Sequence, residues 1–186
     1  MNPKRAAIFE ATRDVISERG LHDAPMSLIA ERADVGAGTI YRHFANKDDL
    51  IVRLYREIKR EMAEVILGDY DETAPIRERF RALWINTLRY CLDHPKRTAY
   101  VEQFANSPMC RAEIEGALAE HFAPALCFFQ YAVEQGVAKP MPFEMASAYT
   151  VGMAIVLAKM HLSGALALSD ELIELAVDAS WDAIKR

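Results

Sequence analysis

The stretch that most constrains this chain is residues 25–44, Pro25-Met-Ser-Leu-Ile-Ala-Glu-Arg-Ala-Asp-Val-Gly-Ala-Gly-Thr-Ile-Tyr-Arg-His-Phe44. Its apolar spacing predicts two short helices joined by a tight turn. Leu28, Ile29 and Ala33 mark the buried side of the first, and Ile40 with Phe44, four residues apart, that of the second. Asp34-Val35-Gly36 supplies the turn, because Asp enters the left-handed region more readily than most side chains. Ala30 is small where the two helices cross. The outward residues of the second helix, Thr39, Tyr41, Arg42 and His43, are all hydrogen-bond donors. A short helix that is apolar behind and donor-rich in front suits the major groove of duplex DNA.

The run from Ile29 to Phe44, followed by Asn46-Lys47-Asp48-Asp49-Leu50, resembles the helix-turn-helix signature of TetR-family transcriptional repressors, in order and at fixed spacing. The motif covers about the first quarter of the chain; the remainder resembles the family in length and helical character. Pro25 stands where the family often has a capping Thr, Asp34 where Gly is usual, and Gly36 where Ser often caps the recognition helix. Gly is a tolerable N-cap, so these departures touch details of DNA contact and leave the resemblance intact.

The resemblance implies an all-α fold of about nine helices, three in a DNA-binding head and six in a body. The division expected is residues 1–47 for the head and 48–186 for a ligand-binding and dimerisation domain. Tyr41 and Thr39 match positions that bind phosphate, and His43 and Lys47 lie on the DNA side. Ala37, Thr39 and Arg42 approach base edges, where Arg favours guanine and a methyl group favours thymine. Gly36 and Gly38 hold no side chain between backbone and duplex. Ser27 is a further phosphate contact.

Charge fits that division. The 186 residues carry a formal net charge of −5, which alone argues against nucleic acid. Residues 1–60, however, hold eleven Lys/Arg against nine Asp/Glu, a net of +2, which leaves −7 on the rest. A basic head on an acidic body is the expected asymmetry of a DNA-binding chain.

The remaining chain reads as helices punctuated by Pro and Gly. Asn2 and Pro3 start a first helix that Gly20 stops. A fourth opens at Asn46, with Asp49 three residues on as a capping-box analogue, and ends near Gly68. Lys47, in its first turn, opposes the helix dipole, so it reads either as a surface Lys offset by Asp48 and Asp49 or as a phosphate ligand beside free N–H groups. Further helices are expected at about 75–93, 96–106, 108–136 (interrupted at Pro124), 142–163 and 169–185. The last two carry a broad apolar surface. In the resembled family such helices form a four-helix interface with a second subunit, which assigns Gly152, Val156, Met160, Val177, Trp181 and Ile184 to a homodimer contact.

The family's body holds a small-molecule pocket. Met62, Trp84, Tyr90, Tyr100, Phe104, Phe122, Phe128, Phe129, Tyr149 and Met153 are its candidate lining, and ordinary core is the competing role of each. Together they favour an apolar or aromatic effector. His121 and His161 have no partner at metal-ligand spacing, so no metal and no cofactor is expected. Cys91, Cys110 and Cys127 form no disulfide framework. Ser107 and Arg111 place Cys110 in a setting that lowers a thiol pKa, which keeps a redox-sensor reading open.

No catalytic fingerprint occurs: there is no Gly-x-Ser-x-Gly elbow, Walker loop, dinucleotide motif or His-Glu-x-x-His pair. No signal peptide leads the chain, and the uncharged stretch Met145–Ala158 is too short to span a bilayer. The expected protein is a cytoplasmic, dimeric repressor that a small molecule releases from a pseudo-palindromic operator. The alternative is a helical ligand-binding or interaction module.

Overall fold

A computed structural model describes residues 2–108, 116 and 120–186. Its elements are α1 (Pro3–Arg19), α2 (Met26–Arg32), α3 (Ala37–His43), α4 (Lys47–Ile66), α5 (Ile76–Asp93), α6 (Pro95–Ala105), α7 (Ala123–Glu134), α8 (Phe143–Tyr149), α9 (Val151–Leu162) and α10 (Asp170–Ile184). α8 and α9 meet at Thr150, which breaks the helix expected at 142–163 in two. Among the described residues there is no strand; one isolated antiparallel bridge joins Ala138 to Lys185.

The caps follow from the residues that flank each helix. The Asn2 side chain accepts from Lys4 N–H at 3.0 Å with Pro3 in the first turn, and Gly20 ends α1 at φ 83°. A side chain there would be strained, which is why Gly stops the helix. Asn46 Oδ1 accepts from Asp49 N–H at 2.8 Å, and Asp49 Oδ2 accepts from Ala45 N–H at 2.9 Å. Two backbone donors at the start of α4 are thereby satisfied reciprocally. Ser169 caps α10 through Leu172 N–H. Of the long helix expected at 108–136, α7 is the described part. Phe122, with a non-helical backbone, interrupts the chain just before Ala123 and Pro124. The preceding residues 109–115 and 117–119, Cys110 and Arg111 with them, lie outside the described set.

Packing separates the chain into two compact units. The first takes in the described residues of Met1–Arg60 and Lys96–Leu118, the second those of Glu61–Pro95 and Ala119–Arg186. In the first, Ile8, Val15 and Ile16 of α1, Ile29 and Ala33 of α2, Ile40 of α3 and Phe44 share one core with Leu50, Ile51, Leu54 and Tyr55 of α4. Tyr100 and Phe104 of α6 complete it. Tyr55 stacks on Phe104 at 4.2 Å, and the Tyr100 hydroxyl donates to the Ile51 carbonyl at 2.6 Å. Burial pushes that hydroxyl's pKa far above its ordinary value, so it stays a donor.

In the second unit α9 packs along α5, and α10 lies against α5 and α8. Trp84 Nε1 donates to Ser180 Oγ at 3.0 Å in this core. The ion pairs Arg77–Asp178 and Arg81–Glu174 join α5 to α10 at the surface. The Phe143–Leu162 element runs 20 residues, longer than its uncharged stretch, and passes length and composition tests for a membrane span. Ala146, Ala154 and Ala158 of this element are buried, whereas Met145, Tyr149, Met153, Val156 and Met160 are exposed.

Asn46→Ala should lower unfolding stability by about 1 kcal/mol, read from the urea midpoint at unchanged m-value. Asp49 is held below its ordinary pKa, first by Ala45 N–H and then by Arg53. Its contribution is therefore present above the unfolded value of about 3.9 and lost as pH falls through the lower folded value. The gap between wild type and Asp49→Asn should close over that acid range.

Candidate nucleic-acid interface

α2 and α3 are joined by Ala33–Gly36, with Asp34 in the left-handed region at φ 51°. Val35 N–H returns to the Ala30 carbonyl at 3.0 Å and Thr39 N–H to that of Gly36 at 2.8 Å. Ile40 and Phe44 turn inward, with the Phe44 ring 5.5 Å from Phe9. Burying them fixes the rotation of α3, and its other face is left to solvent.

That face carries the residues singled out from the sequence. Gly36, Ala37, Gly38, Tyr41 and Arg42 are exposed, Tyr41 at 58%, and Thr39 and His43 are half-buried. Ser27, in the first turn of α2, is exposed. A side-chain carbon at Gly36 or Gly38 would meet no heavy atom within 4 Å. The space beside both glycines is therefore open.

Lys47 has a partner that neither sequence reading named. Its Nζ donates to the His22 carbonyl at 2.9 Å, tying the α1–α2 loop to the start of α4. An ammonium has three donors, and this contact uses one of them. No sequence signal marked His22 as the partner. The α1–α2 pair is braced by a two-pronged Arg32–Glu18 ion pair, which holds the Glu18 carboxyl below its usual range. Arg32 is thus spent on the fold.

A helix-turn-helix with this exposed face is what the family comparisons match. Residues 8–54 match the model described as bacterial regulatory proteins, tetR family, and residues 75–185 that of the tetracyclin repressor-like C-terminal domain. The chain belongs to the TetR family. It is similar to an uncharacterized HTH-type transcriptional regulator of Haemophilus influenzae, 26% identical over 183 residues, 96% of this chain and 94% of that protein. The crystal structure of a TetR family transcription regulator from Marinobacter aquaeolei superposes with a TM-score of 0.92 at 26% identity, covering 99% of this chain and 96% of its own. The transcriptional regulator FadR from Bacillus subtilis, solved in complex with stearoyl-CoA, shares the fold at 20% identity, with a TM-score of 0.74 and 95% of each chain covered. Like the rest of the TetR family, the chain is a DNA-binding transcription regulator, and the family is not enzymatic.

The residues expected to line an effector pocket are dispersed. Met62, Trp84, Tyr90, Phe128 and Phe129 share the core of the second unit, with Phe122 packed against it. Tyr100 and Phe104 are instead core residues of the first unit, and Tyr149 and Met153 are exposed. The expected dimer residues also divide. Gly152 and Trp181 are half-buried, and Val156 and Met160 are exposed. Val177 and Ile184, at 0% and 2% exposure, are buried within their own chain. On α10, Ile173, Ala176 and Trp181 are half-buried. Val177, Ser180 and Ile184 point inward, whereas Leu172 and Leu175 point out. Trp181 lies 5.0 Å from the Phe80 ring, under Arg77. Among the described residues no three His, Cys, Asp or Glu are grouped to hold a metal ion. Cys91 is buried and Cys127 exposed.

Arg42→Ala should change the sequence recovered when sites are selected from random duplexes; an unchanged site would remove Arg42 from base reading. Lys47→Ala should weaken binding uniformly across sequences and reduce the salt slope by about 1. Because Lys47 also ties His22, its unfolding midpoint should fall slightly, and binding must be compared where both proteins are folded.

Proposed function

We propose that this chain is a homodimeric, ligand-responsive repressor acting on a pseudo-palindromic operator in the cytoplasm. Residues 1–47 carry DNA binding, and 48–186 carry effector binding and dimerisation. The observation that carries the DNA reading is the solvent side of α3, with Gly36, Ala37, Gly38, Tyr41 and Arg42 exposed and Thr39 and His43 half-buried; Ser27 of α2 and Lys47 of α4 are assigned to the same surface. Arg42 and Ala37 read bases; Tyr41, Thr39, Ser27 and Lys47 hold phosphates and set the register.

Dimerisation is supported by an apolar stripe that one chain leaves uncovered. Met145, Tyr149, Met153, Val156 and Met160 recur at helical spacing and are all exposed, beside exposed Leu172 and Leu175. Large apolar side chains left exposed along one helix are a surface that a second protein can cover. A second copy presenting the same stripe buries it symmetrically, and a twofold dimer reads two half-sites about one helical turn apart.

The effector is an apolar or aromatic small molecule held by the body. The stearoyl-CoA complex of the Bacillus subtilis neighbour supports a body of this fold as a binder of such molecules. The effector acts by its differential affinity for two arrangements of the dimer, only one of which places both heads in successive grooves.

Selection of random duplexes with the purified protein should enrich an inverted repeat; no enrichment would overturn the reading. Val156→Glu should halve the mass measured in solution at micromolar concentration and weaken operator binding. A wild-type monomer under those conditions would remove the dimer.

A further inference from the structure

α5 buries one face through Ile76, Phe80, Leu83, Trp84, Thr87, Leu88 and Cys91. Arg79 falls on that same face, three residues after Ile76 and four before Leu83. Only 9% of it is exposed. Its guanidinium lies over three aromatic rings, 5.1 Å from Phe128, 5.3 Å from Tyr70 and 5.4 Å from Tyr131. Aromatic faces attract a cation and offset part of its desolvation, but they satisfy none of its N–H donors.

The hydrogen bonds are lopsided. Nε and Nη2 both donate to the Tyr70 hydroxyl, at 3.0 and 2.6 Å. The terminal edge, Nη1 with the second proton of Nη2, has no hydrogen-bond partner among the described residues. No carboxylate pairs with Arg79 there. The acid whose titration it touches, Asp71, spends Oδ1 on the Thr73 N–H and hydroxyl, at 2.8 and 2.6 Å. The Tyr70 bonds and the three rings hold the guanidinium in place, and its unpaired edge is not among the buried orphaned atoms, so it stays within reach of an anion. The cage meets solvent along Tyr131, which is 42% exposed.

We propose that Arg79, within Tyr70, Phe128 and Tyr131, anchors the carboxylate of an apolar organic acid. The inference rests on the reading that the body binds a small molecule, and it names the chemistry of that molecule's polar end. Two parallel N–H donors on a planar edge match the two oxygens of a carboxylate. A single guanidinium matches one negative charge, and the contacts of the cage among the described residues include no second cation for a phosphate dianion. The adjoining Phe128 and Phe129 supply apolar surface for the rest of the acid.

The test is a titration of the DNA-free protein with decanoate and benzoate, with their neutral amides and with inorganic phosphate, followed by calorimetry. Carboxylates should bind at least tenfold tighter than the amides, and phosphate should bind weakest. Arg79→Lys keeps the charge and loses the fork, so carboxylate affinity should fall about tenfold or more. Tyr131→Ala removes the exposed wall and should weaken carboxylates several-fold, which keeps the test informative should Arg79→Lys fail to fold. Equal affinity of acid and amide, tighter binding of phosphate, unchanged affinity in Arg79→Lys or in Tyr131→Ala, or no binding of any probe would each overturn the assignment. DNA release is scored separately. Carboxylates that bind through Arg79 without releasing DNA tell against the effector reading alone. A neutral compound that releases DNA from Arg79→Lys as from wild type supports that reading and counts against Arg79.

Discussion

Burial of Ile40 and Phe44 is the contact on which the recognition surface depends. α3 is only seven residues long, too short to hold its shape by its own hydrogen bonds. Its orientation comes from those two side chains, set against Phe9, Ile8 and Ile29. With them seated, Thr39, Tyr41 and Arg42 have one direction left to point. Removing the Phe44 ring would cost several kcal/mol as a cavity and would release the face as well as the core.

The core of that unit reaches further along the chain than its motif. Tyr55 on α4 stacks with Phe104 on α6, and Tyr100 donates to the Ile51 carbonyl. The helix that begins at Lys47 is therefore anchored by residues some fifty positions away in sequence. The reciprocal Asn46–Asp49 cap fixes where α4 starts, and the Lys47–His22 tie fixes the loop beside it. Each of these contacts limits how far the α3 face moves relative to α4's first turn.

The head was legible because its rules are local. Periodicity marked Ile29, Ala33, Ile40 and Phe44, and turn chemistry marked Asp34, whose φ of 51° is the geometry expected of it. Caps at Asn2 and Asn46 were equally readable. The body was not, because its contacts join distant segments. An apolar residue such as Val177 shows that it wants covering and gives no sign of whether its own chain or a partner covers it. Tyr100 and Phe104 read as pocket lining by composition, yet α6 carries them into the other core. Lys47 found a backbone carbonyl, which has no sequence signature. Arg79 did leave one: a charge on the apolar stripe of α5, between Ile76 and Leu83, breaks the pattern that every neighbour keeps.

The central claim is that the outward face of α3 and the start of α4 form one DNA-binding surface. Amide hydrogen exchange of the full chain, with and without a duplex it selects, tests this most directly. The account predicts that protection gathers on residues 25–28 and 36–48, with the core helices of the second unit unchanged. Protection confined to other segments, or a duplex that leaves residues 36–48 exchanging as before, would contradict it.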